Sequence, residues 1–193
     1  QAYYPANFSL PAFIDNHDMA RFLDQPGADA RRLRAALMYL LTTKGIPCLY
    51  YNTENDTAAG KRDAEAGRRD MPDFYTTEKA TFTLIRVLAQ IRHENVALRR
   101  GDIKVLADSP TAGVFAFLRF TPERPNNVIV VLNTSDAPLT VTVPGLAGYF
   151  DDEPVVNLVR KAFGEEEEWR VTGGELRSLT LEPFDVKILR RPR

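Results

Sequence analysis

The chain has 193 residues, 44% of them hydrophobic, which is enough apolar material for one sizeable domain or two small ones. A formal net charge of −1 and a pI near 6.2 leave no electrostatic footprint for nucleic acid or an anionic membrane surface, so neither is expected as a partner. Its single cysteine, Cys48, excludes an intrachain disulfide and, lying in an apolar run, is expected to be a buried free thiol. No stretch approaches the roughly 20 apolar residues of a membrane span. The chain begins at Gln1 without a signal segment, so upstream sequence is expected to have been removed, and a cytoplasmic setting is favoured over a secreted one.

Residues 1–9 read as loop, and the apolar run 8–16 predicts a buried strand that ends in a polar mouth, Asn16-His17-Asp18 followed by Arg21. Strict alternation would send His17 and Asp18 to opposite faces. They can share a pocket only where the backbone leaves strand geometry; a helix cap or turn explains the same residue types. After the turn signal Gln25-Pro26-Gly27, Asp29 marks a helix start, with Leu33, Ala36, Leu37, Leu40 and Leu41 on its buried face and Arg31, Arg32 and Arg34 toward solvent. Lys44-Gly45 is expected to close that helix and Pro47 to prevent its resumption. Residues 46–51 predict a second, buried strand, completing a parallel βαβ unit.

The polar stretch 52–73 is long for a connection inside a compact domain, and its place after a parallel strand favours a rim over an active site. Thr76 or Thr77 is expected to cap the next helix, which carries Phe82, Ile85, Leu88 and Ile91 on its packing face and runs to about Asn95. His93 falls in its last turn, where a partial positive charge is favoured, and takes no catalytic role. Beyond Gly101 the period changes to two. Short runs at 103–107, 114–120, 128–132, 139–143, 169–171, 176–181 and 186–189, punctuated by Pro, Gly and Asn, predict an antiparallel β-sandwich. The run Glu165 to Glu168 reads as an exposed turn rather than a cation site. Tyr50 and Tyr51, at a strand end, offer either exposed ring faces or a core pair with bonded hydroxyls.

Phe13-x-x-Asn16-His17-Asp18, followed by Arg21-Phe22, resembles the fourth sequence region of the α-amylase family of glycoside hydrolases. Lys44-Gly45-Ile46-Pro47-Cys48-Leu49-Tyr50-Tyr51-Asn52-Thr53-Glu54 resembles that family's eighth barrel strand and outgoing loop, and residues 88–101 resemble its last barrel helix and exit. The resemblance implies an α/β part followed by an all-β part: residues 1–101 as the last two βα units of a (β/α)8 TIM barrel, and 102–193 as a C-terminal antiparallel β-sandwich.

It also implies roles. Asp18 is the catalytic carboxylate, which stabilises an oxocarbenium-like sugar without being nucleophile or proton donor. His17, Asp63 and Arg69, or its neighbour Arg68, contact substrate. Asn16 fixes the turn and Arg21 pairs a neighbouring carboxylate, although packing alone explains both. Asn52 stands where the family commonly has Gly, and residues 59–64 only approximate its loop. Neither the nucleophile nor the acid/base motif is present, so the implied activity is that of a larger retaining enzyme acting on α-glucan, with this segment alone inactive. No cofactor or metal is expected from this segment, although the intact enzyme can carry calcium. The alternative is a non-catalytic carbohydrate-binding or structural module, for which Trp169, the only tryptophan, is the candidate contact. Two parallel strands leave unpaired edges, so the segment is expected to pair with something, itself included.

Overall fold

A computed structural model of the chain describes residues 9–71 and 77–192; Phe8 and Thr76, named above, lie outside them. Strand β1 (Pro11–Ala12), helix α1 (Ala30–Thr42) and strand β2 (Ile46–Pro47) form the expected parallel unit. The Ile46 N–H donates to the Leu10 carbonyl at 2.9 Å and the Cys48 N–H to that of Ala12 at 2.7 Å. Asp29 caps α1, accepting from the Arg31 and Arg32 backbone N–H groups at 2.8 and 2.9 Å. Those N–H groups and the Arg31 guanidinium hold its carboxyl below the usual carboxylate range. Leu33, Leu37, Leu40 and Leu41 are buried as expected.

Several expectations for this half are corrected. Each strand is only two residues long, and its apolar residues are not buried: Ile46 is 55% exposed, and Cys48 is an exposed thiol. Parallel strands are buried only when layers cover both faces and neighbours pair both edges, and this pair has one ladder. Gly45 does not cap α1. The helix ends at Thr42, whose hydroxyl donates to the Met38 carbonyl at 2.6 Å; Gly45, at φ 127°, instead lets β1 approach, since a Cβ there would sit 2.7 Å from the Leu10 oxygen. Nor do the arginines of α1 form a purely solvated face, because Arg32 lies with its guanidinium 4.5 Å from the Phe184 ring. Finally, α3 (Ala80–Glu94) is capped at Lys79 without a side-chain bond, so Thr77 is not its cap.

The packing face of α3 is Leu84, Leu88 and Ile91, not the stripe through Phe82 and Ile85. Three consecutive steps of three residues fall about half a turn short around a helix, so Phe82 cannot share a face with Ile91. A short helix α4 (Val96–Arg100) follows α2 (Ala64–Gly67) and α3 in the chain and leads into the sheet. Its strands are β3 (Asp102–Ser109), β4 (Val114–Phe120), β5 (Val128–Asn133), β6 (Leu139–Val143), β7 (Pro154–Asn157), β8 (Glu168–Thr172), β9 (Glu175–Leu181) and β10 (Val186–Arg190), with helix α5 (Leu158–Ala162) between β7 and β8.

These make one eight-stranded antiparallel sheet in the order β3-β4-β5-β10-β7-β8-β9-β6, curled until it is nearly closed. Alternation divides its side chains between two cores. Phe117, Val128, Val130, Leu132, Val186 and Ile188 face the helices with Leu84, Leu88 and Leu98. Ala116, Leu118, Ile129, Val131 and Leu189 face the sheet's other limb, against Val143, Val171, Leu176 and Leu181. All seven predicted strands start and stop within two residues of their expected positions; β7 was missed because its apolar run is only Val155-Val156. The acidic run is not a uniform exposed turn, since Glu168 opens β8 and Glu167 is ion-paired to Lys187 at 2.7 Å.

Two arginines, Arg119 from the sheet and Arg92 from α3, converge on the carboxyl end of α1, where the last helical carbonyls lack intrahelical partners and carry partial negative charge. Arg119 of β4 donates to the Thr42, Thr43 and Gly101 carbonyls at 2.6, 2.7 and 2.8 Å, and Arg92 of α3 donates to those of Leu41 and Gly45 at 2.9 and 2.6 Å. Burial, and then the nearby Arg92 charge, pull the Arg119 pKa down to about 10, which leaves it a cation at neutral pH. Arg119→Met leaves those buried carbonyls without donors and is expected to cost on the order of 3 kcal/mol, seen as a fall of about 6–12 °C in the thermal midpoint. An unchanged midpoint would show that the helix end is satisfied otherwise. Asp29→Ala removes the α1 cap and is expected to lower stability at neutral pH. Because the folded carboxyl lies below its ordinary 3.8, that difference is present above this value and is lost as pH falls through the lowered one, which denaturant titration at pH 7 and at acid pH would reveal.

Candidate active site

The polar residues singled out above lie on the two loops that leave the carboxyl ends of β1 and β2. A buried arginine is one of the side chains that join those loops. Arg21, with no exposed surface, donates from Nε to the Gly67 carbonyl at 2.8 Å and from Nη1 to the Tyr51 carbonyl at 2.7 Å. Its guanidinium lies 4.0 Å from the Tyr50 ring centroid and 4.9 Å from that of Tyr51, and the two rings meet edge to face at 4.7 Å. Tyr50 and Tyr51 therefore serve as a cradle for a cation. Burial, and then the Tyr51 hydroxyl beside it, push the Tyr50 hydroxyl above its usual pKa of 10.0.

Arg21 does not pair a carboxylate, contrary to expectation. The buried carboxylate nearby in sequence, Asp15, instead accepts from the Phe22 N–H at 3.0 Å and the Thr53 hydroxyl at 3.4 Å. Asp15 was overlooked in the sequence, where its only signal is an acid inside an apolar run. Among the described residues Arg21 Nη2, though buried, has no hydrogen-bond partner.

The second loop is fastened to the first at further points. Asp24 accepts from the Ala59 and Gly60 N–H groups, each at 2.8 Å, and within the second loop the Tyr51 hydroxyl donates to the Arg69 carbonyl. Asn52 is buried at φ 67°, a left-handed conformation that Asn tolerates better than most residues, and its amide donates to the Asp70 carbonyl at 3.1 Å.

Asn16 makes the turn at the lip. Its side-chain oxygen accepts from the Asp18 N–H at 2.8 Å and its carbonyl from the Met19 N–H at 3.4 Å, so the chain leaves strand geometry where alternation would have parted His17 from Asp18. His17 Nε2 then stands 3.2 Å from Asp18 Oδ2, with both side chains well exposed, at 64% and 70%. Arg68 reaches across from the other loop, donating to the His17 carbonyl at 3.0 Å and standing 3.7 Å from Asp18 Oδ1. Arg69 turns away to the Ala59 carbonyl at 2.9 Å. Asp63 caps α2, accepting from the Glu65 N–H at 3.0 Å, and pairs with Lys61 at 3.3 Å; these two partners, Lys61 first, hold its carboxyl below the usual range. The geometry thus assembles His17, Asp18 and Arg68 at the lip, with Asp63 and Arg69 used in shaping the loop.

Chemically this is an exposed carboxylate flanked by an imidazole and a guanidinium, suited to accept from hydroxyls and to face a developing positive charge. Among the described residues no group of three or more His, Cys, Asp or Glu side chains is placed to hold a metal ion.

No family model matches the chain. A cyclomaltodextrin glucanotransferase of Paenibacillus macerans is 38% identical over 94 residues, which is 49% of this chain and 13% of that protein. A cyclomaltodextrinase of a Bacillus species is 30% identical over 138 residues, 69% of this chain and 24% of that protein. Among solved structures, an Anoxybacillus α-amylase aligns with a TM-score of 0.80 and 25% identity over 100% of this chain and 40% of its own. The shared scaffold is that of enzymes acting on glycosidic bonds. The chain belongs to the α-amylase family of glycoside hydrolases and spans well under half the length of these relatives.

Replacing Arg21 by Leu removes the buried link between the two loop bases and leaves the Tyr51 and Gly67 carbonyls without the donor it supplies. Amide hydrogen exchange is expected to lose protection within residues 48–70 while the sheet keeps its own, and equal protection in both proteins would deny Arg21 this role.

Proposed function

We propose that this chain is the C-terminal part of a retaining glycoside hydrolase or transglycosylase acting on α-glucan, of the α-amylase or neopullulanase type. Residues 1–101 would be the closing βα units of its (β/α)8 barrel, and residues 102–193 its C-terminal β-sandwich domain. The observation that carries this reading is the Asn16 turn, which sets His17 and Asp18 side by side at the carboxyl end of a parallel strand, where barrel enzymes place their chemistry.

In this reading the Asp18 carboxylate faces the sugar ring as it gains oxocarbenium character, a stabilisation that grows as the charge develops. His17 hydrogen-bonds hydroxyls of the same sugar, as donor or acceptor by tautomer. Arg68 holds Asp18 against rotation. Asp63 and Arg69 stay near enough in the loop to meet outer sugar units, and Asn16 and Arg21 act by fixing the backbone beneath. Asp18 is neither nucleophile nor proton donor. Those two carboxyls, about 5–5.5 Å apart in a retaining enzyme, come from the remainder of the barrel, so the chain alone is inactive.

The docking face for that remainder is the exposed apolar row Leu10, Phe13, Ile46 and Leu49, 39%, 48%, 55% and 42% exposed, along β1 and β2. In the isolated chain the same row supports self-association. The names of the relatives, a cyclomaltodextrin glucanotransferase and a cyclomaltodextrinase, support an α-glucan as substrate. In the complete enzyme Asp18→Asn is expected to lower kcat on maltooligosaccharides by about 10²–10³-fold with an unchanged thermal midpoint, since the change keeps shape and removes charge. Undiminished turnover would refute the role assigned to Asp18.

A further inference from the structure

Helix α1 has two flanks, and among the described residues only one of them is covered by another helix. Met38 and Leu41 share a core with Leu84 and Leu88 of α3. Arg32, Ala36 and Tyr39, spaced by four and then three residues, form a second stripe about half a turn around the helix from Leu41. Between that stripe and the sheet, where Phe115 of β4 and Leu132 of β5 stand, runs a groove of about 490 Å³. We propose that this groove seats the helix that precedes β1 in the complete enzyme, so that the sheet is held by three consecutive helices of the barrel rather than two. The identity of the helix rests on the barrel proposed above; the need for an apolar cover rests on the groove itself.

Topology names the occupant. In a parallel barrel each strand–helix unit repeats beside the last, so a helix has a helical neighbour on either flank. Helix α3, which follows β2, is the neighbour on one flank of α1. Strand β1 pairs along one edge only, with β2, and right-handed crossovers carry the unit before β1 to its other edge and the helix of that unit to the uncovered flank of α1. The chain spans well under half the length of its relatives, which leaves ample sequence for such a helix.

The groove suits the side chains of a helix better than a polar ligand. Tyr39 is 39% exposed, and its ring meets those of Phe115 and Phe117 edge to face at 6.1 and 5.9 Å, so it is fixed from the sheet side and bare on the other. Ala35 and Ala36 keep the helix surface low there, which permits the approach of about 8–10 Å between the axes of packed helices. Asn133 also lines the groove, yet its amide donates to the Ala137 and Glu182 carbonyls at 2.7 and 2.9 Å and its oxygen accepts from the Ser135 N–H at 2.9 Å. Arg32 closes one end, its guanidinium lying against the Phe184 ring. What remains is apolar surface, which an apolar stripe of helical spacing would fill.

Thiol accessibility tests the seat. In a Cys48→Ser background, Ala36→Cys and Ile46→Cys each place the only thiol of the chain, one in the groove and one in the apolar row along β1 and β2. In the 193-residue chain both are expected to react with a small disulfide reagent, Ala36→Cys at a rate independent of protein concentration. In the complete enzyme both are expected to react at least about 100-fold more slowly, because only local opening exposes them. Ala36→Arg is expected to leave the thermal midpoint of the 193-residue chain within about 1 °C and to lower that of the complete enzyme by about 3 °C or more, since the added bulk meets the seated helix. An Ala36→Cys thiol that stays reactive in the complete enzyme while that of Ile46→Cys is protected would overturn the helix assignment and leave the barrel standing, as would an unchanged Ala36→Arg midpoint there; two reactive thiols would remove the barrel reading as well. Slowing of the Ala36→Cys reaction as the concentration of the 193-residue chain rises would put a second copy in the groove, and protection at every concentration would mean that the chain covers the groove itself. Either result overturns the proposal.

Discussion

The lip of this molecule depends on a guanidinium hidden from water. Arg21 bridges two loops that leave neighbouring strands, and it does so through the Tyr51 and Gly67 backbone carbonyls and two tyrosine rings rather than through a countercharge. A buried arginine–carboxylate pair would fix one side chain; an arginine on carbonyls fixes main chain. The main chain it fixes is the one that carries Arg68 to His17 and Asp18. The exposed side chains at the lip owe their arrangement to the buried one beneath.

A second pair of arginines does the corresponding work one layer away. Arg119 and Arg92 converge on the carboxyl end of α1, where unsatisfied carbonyls and the helix dipole supply the negative potential. In both places the protein uses cations against backbone oxygens. The formal charge balance near zero hides this, because many of these positive charges are not paired with acids.

How much of this was legible in the sequence depended on how local the determining physics is. Asp29 was readable as a cap because capping involves residues two and three positions on, and the strands from 102 onward were readable because period two and turn residues are local. The polar mouth at Asn16 to Asp18 was legible by resemblance, while its geometry required an Asx-type turn that alternation alone would not give. Long-range partners were not legible. Nothing near Arg21 in the chain announces Tyr51 or Gly67, and Arg68 rather than Arg69 meets Asp18 because α2 sets the rotation of the loop there. Phe82 and Ile85 were misassigned for a local reason, since spacing by threes was read as one face.

The grip of Arg119 on α1 also bears on how such enzymes exchange parts. A cut after Gly101 looks clean in the chain, yet it parts Arg119 from the carbonyls of Thr42 and Thr43 and Arg190 from Asn95. A chimera that grafts a foreign sheet onto this helical layer would have to bring cations at both positions, so the portion that carries its own contacts is larger than the segment that folds as a sheet.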